Sequence, residues 1–393
     1  MKRRIPIQVI ILGLIAYFGI CISCDNPRST QNGENKIDST QTEHEIIVNV
    51  FVENSGSMAG YCNVNKTSAI ETLITDFYDR FDESSDINNV TLNFINTSVV
   101  NSKSNIKQFV NSIKSNCTAQ YTKLDEMLEM MMDSVTNDCV NILISDYVFT
   151  SNNGNLAIAS SGITSQFSKQ LEEKDFAVAI YKYMVDFSGK YYPGGISCNK
   201  PLPLYVWAFG RKDNVCKIIH LPFNSKNCGT YFMQKAYDAD FKLEAKSKRM
   251  IEGNKIHVSK WDRKRNENFY EFEFTTKLDK VLLTKDDIIN TSSYNVKTNN
   301  SSKYIIFNIE ELGNDKYKFT IRTSGSNPAP GKITISYPIA TPTWVEKSNF
   351  EGNGLPSDST TYGVSYLING VSKAFENTSK NNNNYFNITI NLE

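Results

Sequence analysis

The sequence predicts an α/β fold, in which a doubly wound, mostly parallel sheet over residues 44–225 is followed by a mainly antiparallel β domain over residues 230–393. In the first region, apolar segments typical of buried strands alternate with helical segments, as in a parallel sheet covered by helices. The second region has short alternating stretches separated by turn residues. All six cysteines beyond Cys24 precede residue 230, which also indicates two regions.

The first region begins with residues 45–52, a nearly continuous apolar run that is typical of a parallel strand buried on both faces. Apolar residues then recur at helical spacing over residues 67–81, which predicts an amphipathic helix packed on that sheet. The same two patterns continue along the region. We predict further strands at 90–94, 140–144, 176–181 and 204–209, and further helices at 106–113, 124–135 and 163–171.

The second region contains short stretches with the period of two that marks half-buried strands. We expect a β-sandwich with one helix over residues 364–375. The predicted strands cover residues 269–274, 304–309, 317–321, 333–337 and 385–390.

The composition is that of an ordinary folded protein with no overall charge. The chain has 393 residues, of which 40% are hydrophobic, and its 42 Lys and Arg residues balance its 42 Asp and Glu residues. A nucleic-acid partner needs a basic face that neutralises phosphates. The charge balance therefore gives no support to a nucleic-acid partner.

The N-terminus has the pattern of a secretory leader. Three basic residues at positions 2–4 precede an apolar stretch over residues 5–22. Residues 1–23 contain no acidic residue, so their removal leaves the exported chain with a small negative net charge. Residues 24–43 are polar and contain Pro, Gly, Ser and Asn, which predicts a flexible tether.

The leader ends Cys21-Ile22-Ser23-Cys24-Asp25, which resembles the lipobox of bacterial lipoproteins with Cys24 as the lipidated residue. Cys21 stands where Leu is usual. A plain signal peptide and an uncleaved membrane anchor are the alternatives, and all three interpretations export the chain. We expect a protein that is lipid-anchored to the bacterial cell envelope and faces the periplasm or the cell surface.

Oxygen-bearing side chains lie where the carboxyl edge of the predicted sheet should be. Glu53, Ser55 and Ser57 directly follow the first strand, Thr122 opens the helix at 124–135, and Asp146 follows the strand at 140–144. Doubly wound sheets bind their ligands at this edge. Because hard divalent cations prefer oxygen ligands, the pattern predicts a cation site there.

In this order, the residues resemble the metal-ion-dependent adhesion site of the von Willebrand factor A family, over the α/β region only. There, an Asp-x-Ser-x-Ser turn, a Thr from a second loop and an Asp from a third surround Mg²⁺ or Mn²⁺. The resemblance implies that Ser55, Ser57 and Thr122 offer hydroxyl oxygens to the metal. It implies that Glu53 and Asp146 act mainly through bound water, and that an acidic group of an unknown partner protein completes the coordination.

The sequence departs from the family pattern at two positions. Glu53 replaces the family's Asp, and its longer side chain could displace the metal, coordinate it directly or abolish binding. Tyr147 stands where such domains commonly have Gly. An envelope assembly scaffold with a degenerate, metal-free site is therefore an alternative function.

A second alternative is an exported hydrolase or carbohydrate-active protein that uses the β domain. The three histidines, His44, His220 and His257, are scattered along the chain, so a Ser-His-Asp triad is hard to assemble. No other set of acid, base and nucleophile is recognisable. We therefore predict a protein without enzymatic activity and assign no catalytic residue.

Cys62 and Cys117 lie in or just before two of the loops expected at the metal face. An oxidising compartment permits disulfides, so a bridge between these two residues is possible. The cysteine spacings contain no C-x-x-C pair, which argues against a zinc site.

Overall fold

The computed structural model describes residues 46–62, 69–119, 123–150, 154–192, 194–244, 251–260, 269–323, 328–379 and 383–393. Residues 43–393 form one compact unit. The predicted leader (1–23), the tether (24–43) and the lipidation site at Cys24 lie outside the described residues. Across the ranges given above, no helix combines the length and apolar character needed to cross a membrane.

The fold is mixed α/β. In chain order, the strands are β1 (Ile46–Glu53), β2 (Ile87–Ile95), β3 (Val99–Ser102), β4 (Cys139–Ser145), β5 (Phe176–Val185), β6 (Ser188–Tyr191), β7 (Ile196–Asn199), β8 (Leu202–Arg211), β9 (Gly229–Gln234), β10 (Tyr237–Asp238), β11 (Phe241–Glu244), β12 (Ile251–Glu252), β13 (Lys255–Ile256), β14 (Glu271–Lys277), β15 (Asn295–Thr298), β16 (Tyr304–Gly313), β17 (Lys316–Thr323), β18 (Gly331–Pro338), β19 (Asn349–Phe350), β20 (Thr361–Tyr362) and β21 (Asn384–Leu392). The helices are α1 (Ala69–Asp82), α2 (Ile106–Asn116), α3 (Leu124–Asp133), α4 (Leu156–Glu173), α5 (Lys212–Ile219), α6 (Lys285–Ile289), α7 (Thr343–Lys347) and α8 (Val364–Thr378), with short 3₁₀ turns at Met58–Cys62, Val258–Lys260 and Thr291–Ser293.

The largest sheet has seven strands in the order β3-β2-β1-β4-β8-β5-β9. Strand β1 pairs in parallel with β2 and β4, whereas the other four pairings are antiparallel. The sheet is therefore mixed, and the prediction that it is mostly parallel is wrong. Strands β5 and β8 are buried along nearly their whole length. Burial on both faces produces the same apolar run in either direction, so the pattern does not reveal that β8 returns antiparallel between β4 and β5.

Every helix and strand predicted for the first region is present, with shifted ends. Helices α1 and α2 pack together beside β2, and α3 packs on α4. The apolar faces of α1 and α3 are buried, as their periodicity predicts. Helix α5 and the β6/β7 hairpin were not predicted.

The second region forms two further sheets. One contains β12-β13-β21-β18-β15 with β10 beside β21, and the other is the antiparallel sheet β11-β14-β17-β16. The five predicted strands correspond to β14, β16, β17, β18 and β21, and the predicted helix to α8. Tyr294 joins the two sheets, since its ring lies 5.7 Å from Phe319 of β17 and 4.9 Å from Tyr337 of β18.

The boundary predicted between residues 225 and 230 does not separate two units. Strand β9 pairs with β5 and completes the largest sheet, and α8 packs on α4. The buried Gln234 side chain at the end of β9 accepts from the Leu282 amide at 2.7 Å and donates to the Tyr385 carbonyl at 3.1 Å. The two regions therefore share one continuous core, because β9 and α8 pack against the first sheet and its helices.

A chain of side-chain hydrogen bonds crosses four strands of the largest sheet. Asn141 is its buried end, and its Nδ2 donates to the Met131 carbonyl at 2.7 Å and to the Ser134 hydroxyl at 2.8 Å, which ties β4 to α3. Its Oδ1 accepts from Asn49 at 2.9 Å. From β3 to β4 this series of hydrogen bonds runs through Asn101, Asn93, Thr91, Asn49 and Asn141.

Replacing Asn141 with alanine should lower the free energy of unfolding by about 3 kcal/mol, because it removes three hydrogen bonds of a fully buried side chain and leaves the buried Met131 carbonyl without this donor. Urea denaturation measures this loss. Asn101→Ala, at the exposed end of the same chain, is the matched control and should cost less than about 1 kcal/mol. Equal losses of unfolding free energy in the two variants would show that the buried end of the network contributes no more to stability than its exposed end.

Candidate functional site

The candidate site lies at the carboxyl ends of the parallel strands. Strand β1 has β2 on one side and β4 on the other, so the chain changes direction across the sheet at β1. Ligands of open α/β sheets bind outside the carboxyl ends of the strands at such a switch point. Glu53 is the last residue of β1, and Asp146 directly follows β4.

Glu53 is fully buried and reaches across to β4. The Ser145 hydroxyl donates a short hydrogen bond to Glu53 Oε2. The Glu53 side chain therefore has one oxygen occupied by the neighbouring strand. Ser145 itself was not predicted, although its position directly before Asp146 at a strand end is a usable signal.

Ser55, Ser57 and Asp146 form a connected polar group beside Glu53. The Ser55 and Ser57 hydroxyl oxygens lie 2.9 Å apart, and both side chains are buried. Burial, followed by the negative charge of Glu53, raises the pKa of Asp146 to about 7, although hydrogen bonds from Ser57 and from the Val148 amide oppose this rise. The surroundings of Asp146 thus disfavour its charged form.

The loop after β1 is fixed to the segment that follows α2. Gly56 N donates to the Ala119 carbonyl at 2.9 Å, and Ala119 N donates to the Asn54 carbonyl at 3.1 Å. Ser55 and Ala119 form an isolated parallel bridge. Thr122, the predicted ligand from this second loop, lies outside the described residues.

Tyr147 has a left-handed backbone, with φ of 52°, directly after Asp146. This conformation costs a non-glycine residue about 1–3 kcal/mol, which explains why glycine suits the position. The buried Tyr147 ring stacks on Trp207 of β8 at 4.6 Å and meets Tyr205 edge-on at 5.8 Å. Packing of the ring against β8 therefore offsets the strain and holds the turn that carries Asp146.

Cys62 and Cys117 are free thiols in this structure, so the bridge predicted between them is not formed here. Burial raises the pKa of Cys62 to about 12 and raises that of Cys117 further above its ordinary value. A high pKa keeps a thiol protonated and slows its reaction with oxidants. Cys117 is buried and Cys62 is half-buried, and both pack in this structure as apolar side chains.

The described residues fit an oxygen-ligated cation better than a site of His, Cys and several carboxylates. Within the described ranges, no group of three or more His, Cys, Asp or Glu side chains is placed to hold a metal ion. Two neighbouring oxygens of an octahedral Mg²⁺ site lie about 2.9 Å apart, given Mg–O distances of about 2.0–2.1 Å. The Ser55 and Ser57 hydroxyls, which hydrogen-bond to each other at 2.9 Å, have the same separation.

Asn96 is a polar residue at the same edge that the sequence reasoning missed. It directly follows β2, whose last residue is paired with Glu53. The side chain is 6% exposed, and both of its polar atoms are buried without a hydrogen bond to any described residue. Buried unpaired polar atoms are costly, so they mark a place where a ligand, an ion or water supplies the partner.

The chain matches no protein-family model, no curated protein and no solved structure.

Proposed function

We propose that this chain is a lipid-anchored protein of the bacterial cell envelope that recognises a partner protein through a divalent cation. The cation, Mg²⁺ or Mn²⁺, binds at the carboxyl ends of β1 and β4 in a von Willebrand factor A-like arrangement. A carboxylate of the partner occupies an open coordination position. The chemistry is recognition, with no turnover of substrate.

The observation that carries this proposal is the pair of buried carboxylates, Glu53 and Asp146, beside two serine hydroxyls. Burial and, after it, the charge of Glu53 raise the pKa of Asp146 to about 7. A bound divalent cation would reverse this effect, because its positive charge stabilises both ionised carboxylates. The donor set consists of oxygens, as Mg²⁺ prefers.

Each residue has a distinct part in the proposed site. Ser55 and Ser57 hold the cation through their hydroxyl oxygens, and Thr122 adds a third hydroxyl. Asp146 and Glu53 supply negative charge and orient bound water, while Ser145 fixes the Glu53 carboxylate. The cation supplies a Lewis-acidic position for the partner's carboxylate.

Calorimetric titration of Mg²⁺ and Mn²⁺ tests the proposal. We expect the wild-type protein to bind and the Ser55→Ala, Ser57→Ala double variant to bind at least about 100-fold more weakly, since loss of supporting contacts alone costs metal sites about 10–100-fold. Ser161→Ala, Ser165→Ala on the exposed face of α4 is the matched control and should bind like the wild type. The proposal fails if the double variant keeps the wild-type affinity.

The second candidate function is a metal-free envelope assembly scaffold. The hydrogen bond from Ser145 to Glu53 favours it, because that bond satisfies part of the carboxylate's demand without a cation. Titrations of the folded wild-type protein that show no heat and no change in stability with either cation would select this alternative.

A further inference from the structure

Two asparagines lie side by side at the carboxyl edge of the largest sheet. Glu53 is paired with Ile95, the last residue of β2. Asn54 N donates to the Ile95 carbonyl at 3.2 Å, which extends the contact between β1 and β2 by one residue. Asn96 directly follows Ile95, so it is the neighbour of Asn54 across the two strands. Neighbouring strands are about 4.7–4.9 Å apart.

Three buried polar atoms of these two side chains have no hydrogen bond to any described residue. They are Asn54 Oδ1, Asn96 Oδ1 and Asn96 Nδ2. Because both ends of the Asn96 amide are unpaired, either orientation of the amide needs a donor and an acceptor. Unpaired amide atoms that are shielded from bulk water are costly, so two adjacent side chains of this kind indicate a bound species that both contact.

The same row of the sheet continues to Asp146. Val52 of β1 is paired with Ile144 of β4, so extending this register by two residues places Asp146 opposite Asn54. The row at the edge of the sheet therefore contains Asn96, Asn54 and Asp146, which follow β2, β1 and β4. The unpaired amides thus lie next to a residue of the proposed cation site.

We propose that Asn54 and Asn96 accept hydrogen bonds from one water molecule that is bound to the proposed cation. They are thus positioning residues, because they act on the cation through its water. Mg²⁺ gives up its waters reluctantly and usually keeps several of them in a protein site. This inference rests on the proposed function, since the cation holds the water.

The number and the spacing of the unpaired oxygens fit one bridging water. A water that binds a cation through its oxygen has two hydrogens to donate, and the two Oδ1 atoms are two acceptors. Two acceptors of one water lie about 4.5 Å apart, given O–H···O distances of about 2.7–2.8 Å. This separation suits side chains on neighbouring strands. Asn96 Nδ2 needs an acceptor as well, and the oxygen of a second water in the same hydration shell supplies one.

Mg²⁺ titration of the full chain, together with urea denaturation without the cation, tests the proposal. In Asn96→Leu, we expect the affinity for Mg²⁺ to fall about 10–100-fold, which is the usual effect of losing an outer contact of a metal site. Without the cation, this variant should be at least as stable as the wild type, because an apolar side chain replaces an unpaired buried amide. A residue that only supports the fold would lose stability instead.

Asn93→Leu, in the same strand, is the matched control. The buried Asn93 side chain donates to the Val50 carbonyl at 3.3 Å and accepts from Asn101 at 2.8 Å. We expect this variant to lose stability, because these hydrogen bonds are lost, and to keep the wild-type affinity for Mg²⁺.

Asn54→Ala tests whether the two asparagines share one water. Asn54 is half-buried, so this variant gives an answer even if Asn96→Leu fails to fold. We expect Asn54→Ala to weaken Mg²⁺ binding as well. Because each substitution breaks the same bridge, the double variant should bind Mg²⁺ about as weakly as the weaker of the two single variants.

The inference is overturned if either single variant binds Mg²⁺ like the wild type, or if the losses of the two single variants add in the double variant. It is also overturned if Asn96→Leu loses stability without the cation as Asn93→Leu does, because an ordinary buried water that supports the fold would give that result. Failure of the wild type to bind Mg²⁺ overturns the proposed function, and the inference falls with it. Titration of the wild type distinguishes this failure from the others.

Discussion

Replacing Asp146 with asparagine is expected to make the cation-free protein more stable at pH 8 and equally stable at pH 4. An aspartate carboxyl has an ordinary pKa of 3.8, whereas burial and the charge of Glu53 raise the pKa of Asp146 to about 7 in the folded protein. The folded state therefore binds this proton more tightly than the unfolded state. Stability falls as the pH rises from about 4 to about 7 and stays low above that range.

Asparagine cannot ionise, so the stability of the variant does not fall in this way as the pH rises. The difference between the two pKa values corresponds to on the order of 4 kcal/mol of unfolding free energy at pH 8. Urea denaturation with a chelator present measures it at both pH values. Asp186→Asn, at an exposed aspartate directly after β5, is the control and should change little.

Addition of Mg²⁺ should then change the stability difference between the two proteins in the opposite direction, in favour of the wild type. The wild type gains stability because the cation binds the folded state, whereas Asp146→Asn gains little. A wild type and variant with the same stability at pH 8 would show that Asp146 is not held in its unfavourable ionised form. Equal gains from Mg²⁺ would remove Asp146 from the proposed site.

Replacing Gly363 with alanine should lower the free energy of unfolding by about 3 kcal/mol. Gly363 has φ of 70° at the start of α8, and a Cβ atom there would lie 2.4 Å from the Phe149 carbonyl oxygen. A backbone oxygen cannot move aside as a flexible side chain does. The strain of a left-handed alanine adds to this clash.

Gly363 also supports the candidate site from the C-terminal region. The Phe149 amide, three residues after Asp146, donates to the Tyr362 carbonyl at 2.9 Å. Displacement of Phe149 would therefore shift the loop that carries Asp146, so we expect Mg²⁺ affinity to fall together with stability.

Urea denaturation and Mg²⁺ titration of Gly363→Ala measure both effects. Gly354→Ala is the matched control, because a Cβ atom there meets nothing within 4 Å. It should keep the wild-type stability and affinity. If Gly363→Ala behaves like Gly354→Ala, the contact with Phe149 does not constrain the fold.

Periodicity alone was enough to predict most of the longer elements. The apolar face of α1 and the buried run of β1 follow directly from the spacing of their residues, because burial imposes a period of 3.6 on helices and continuous apolar character on central strands. Glu53, Ser55, Ser57 and Asp146 could be placed together for the same reason. Each follows a strand that the pattern identifies, and parallel strands end at one edge.

Strand direction and long-range pairing required the tertiary structure. Strand β8 lies antiparallel between β4 and β5, and β9 joins the first sheet, although both segments are buried in ways compatible with other arrangements. Hydrogen bonds such as that from Ser145 to Glu53 join residues far apart in the chain. Local spacing carries no information about such pairs.

The sequence was thus sufficient for most of the longer elements and for bringing the oxygen-bearing residues of the candidate site to one edge of the sheet, because both depend on which residues lie near each other along the chain. The state of that site depends on the folded environment. Burial beside Glu53 sets the pKa of Asp146, packing against Trp207 permits the left-handed Tyr147, and the pairing of β1 with β2 places Asn96 next to Asn54. These properties arise from contacts between distant segments, which exist only after the chain has folded.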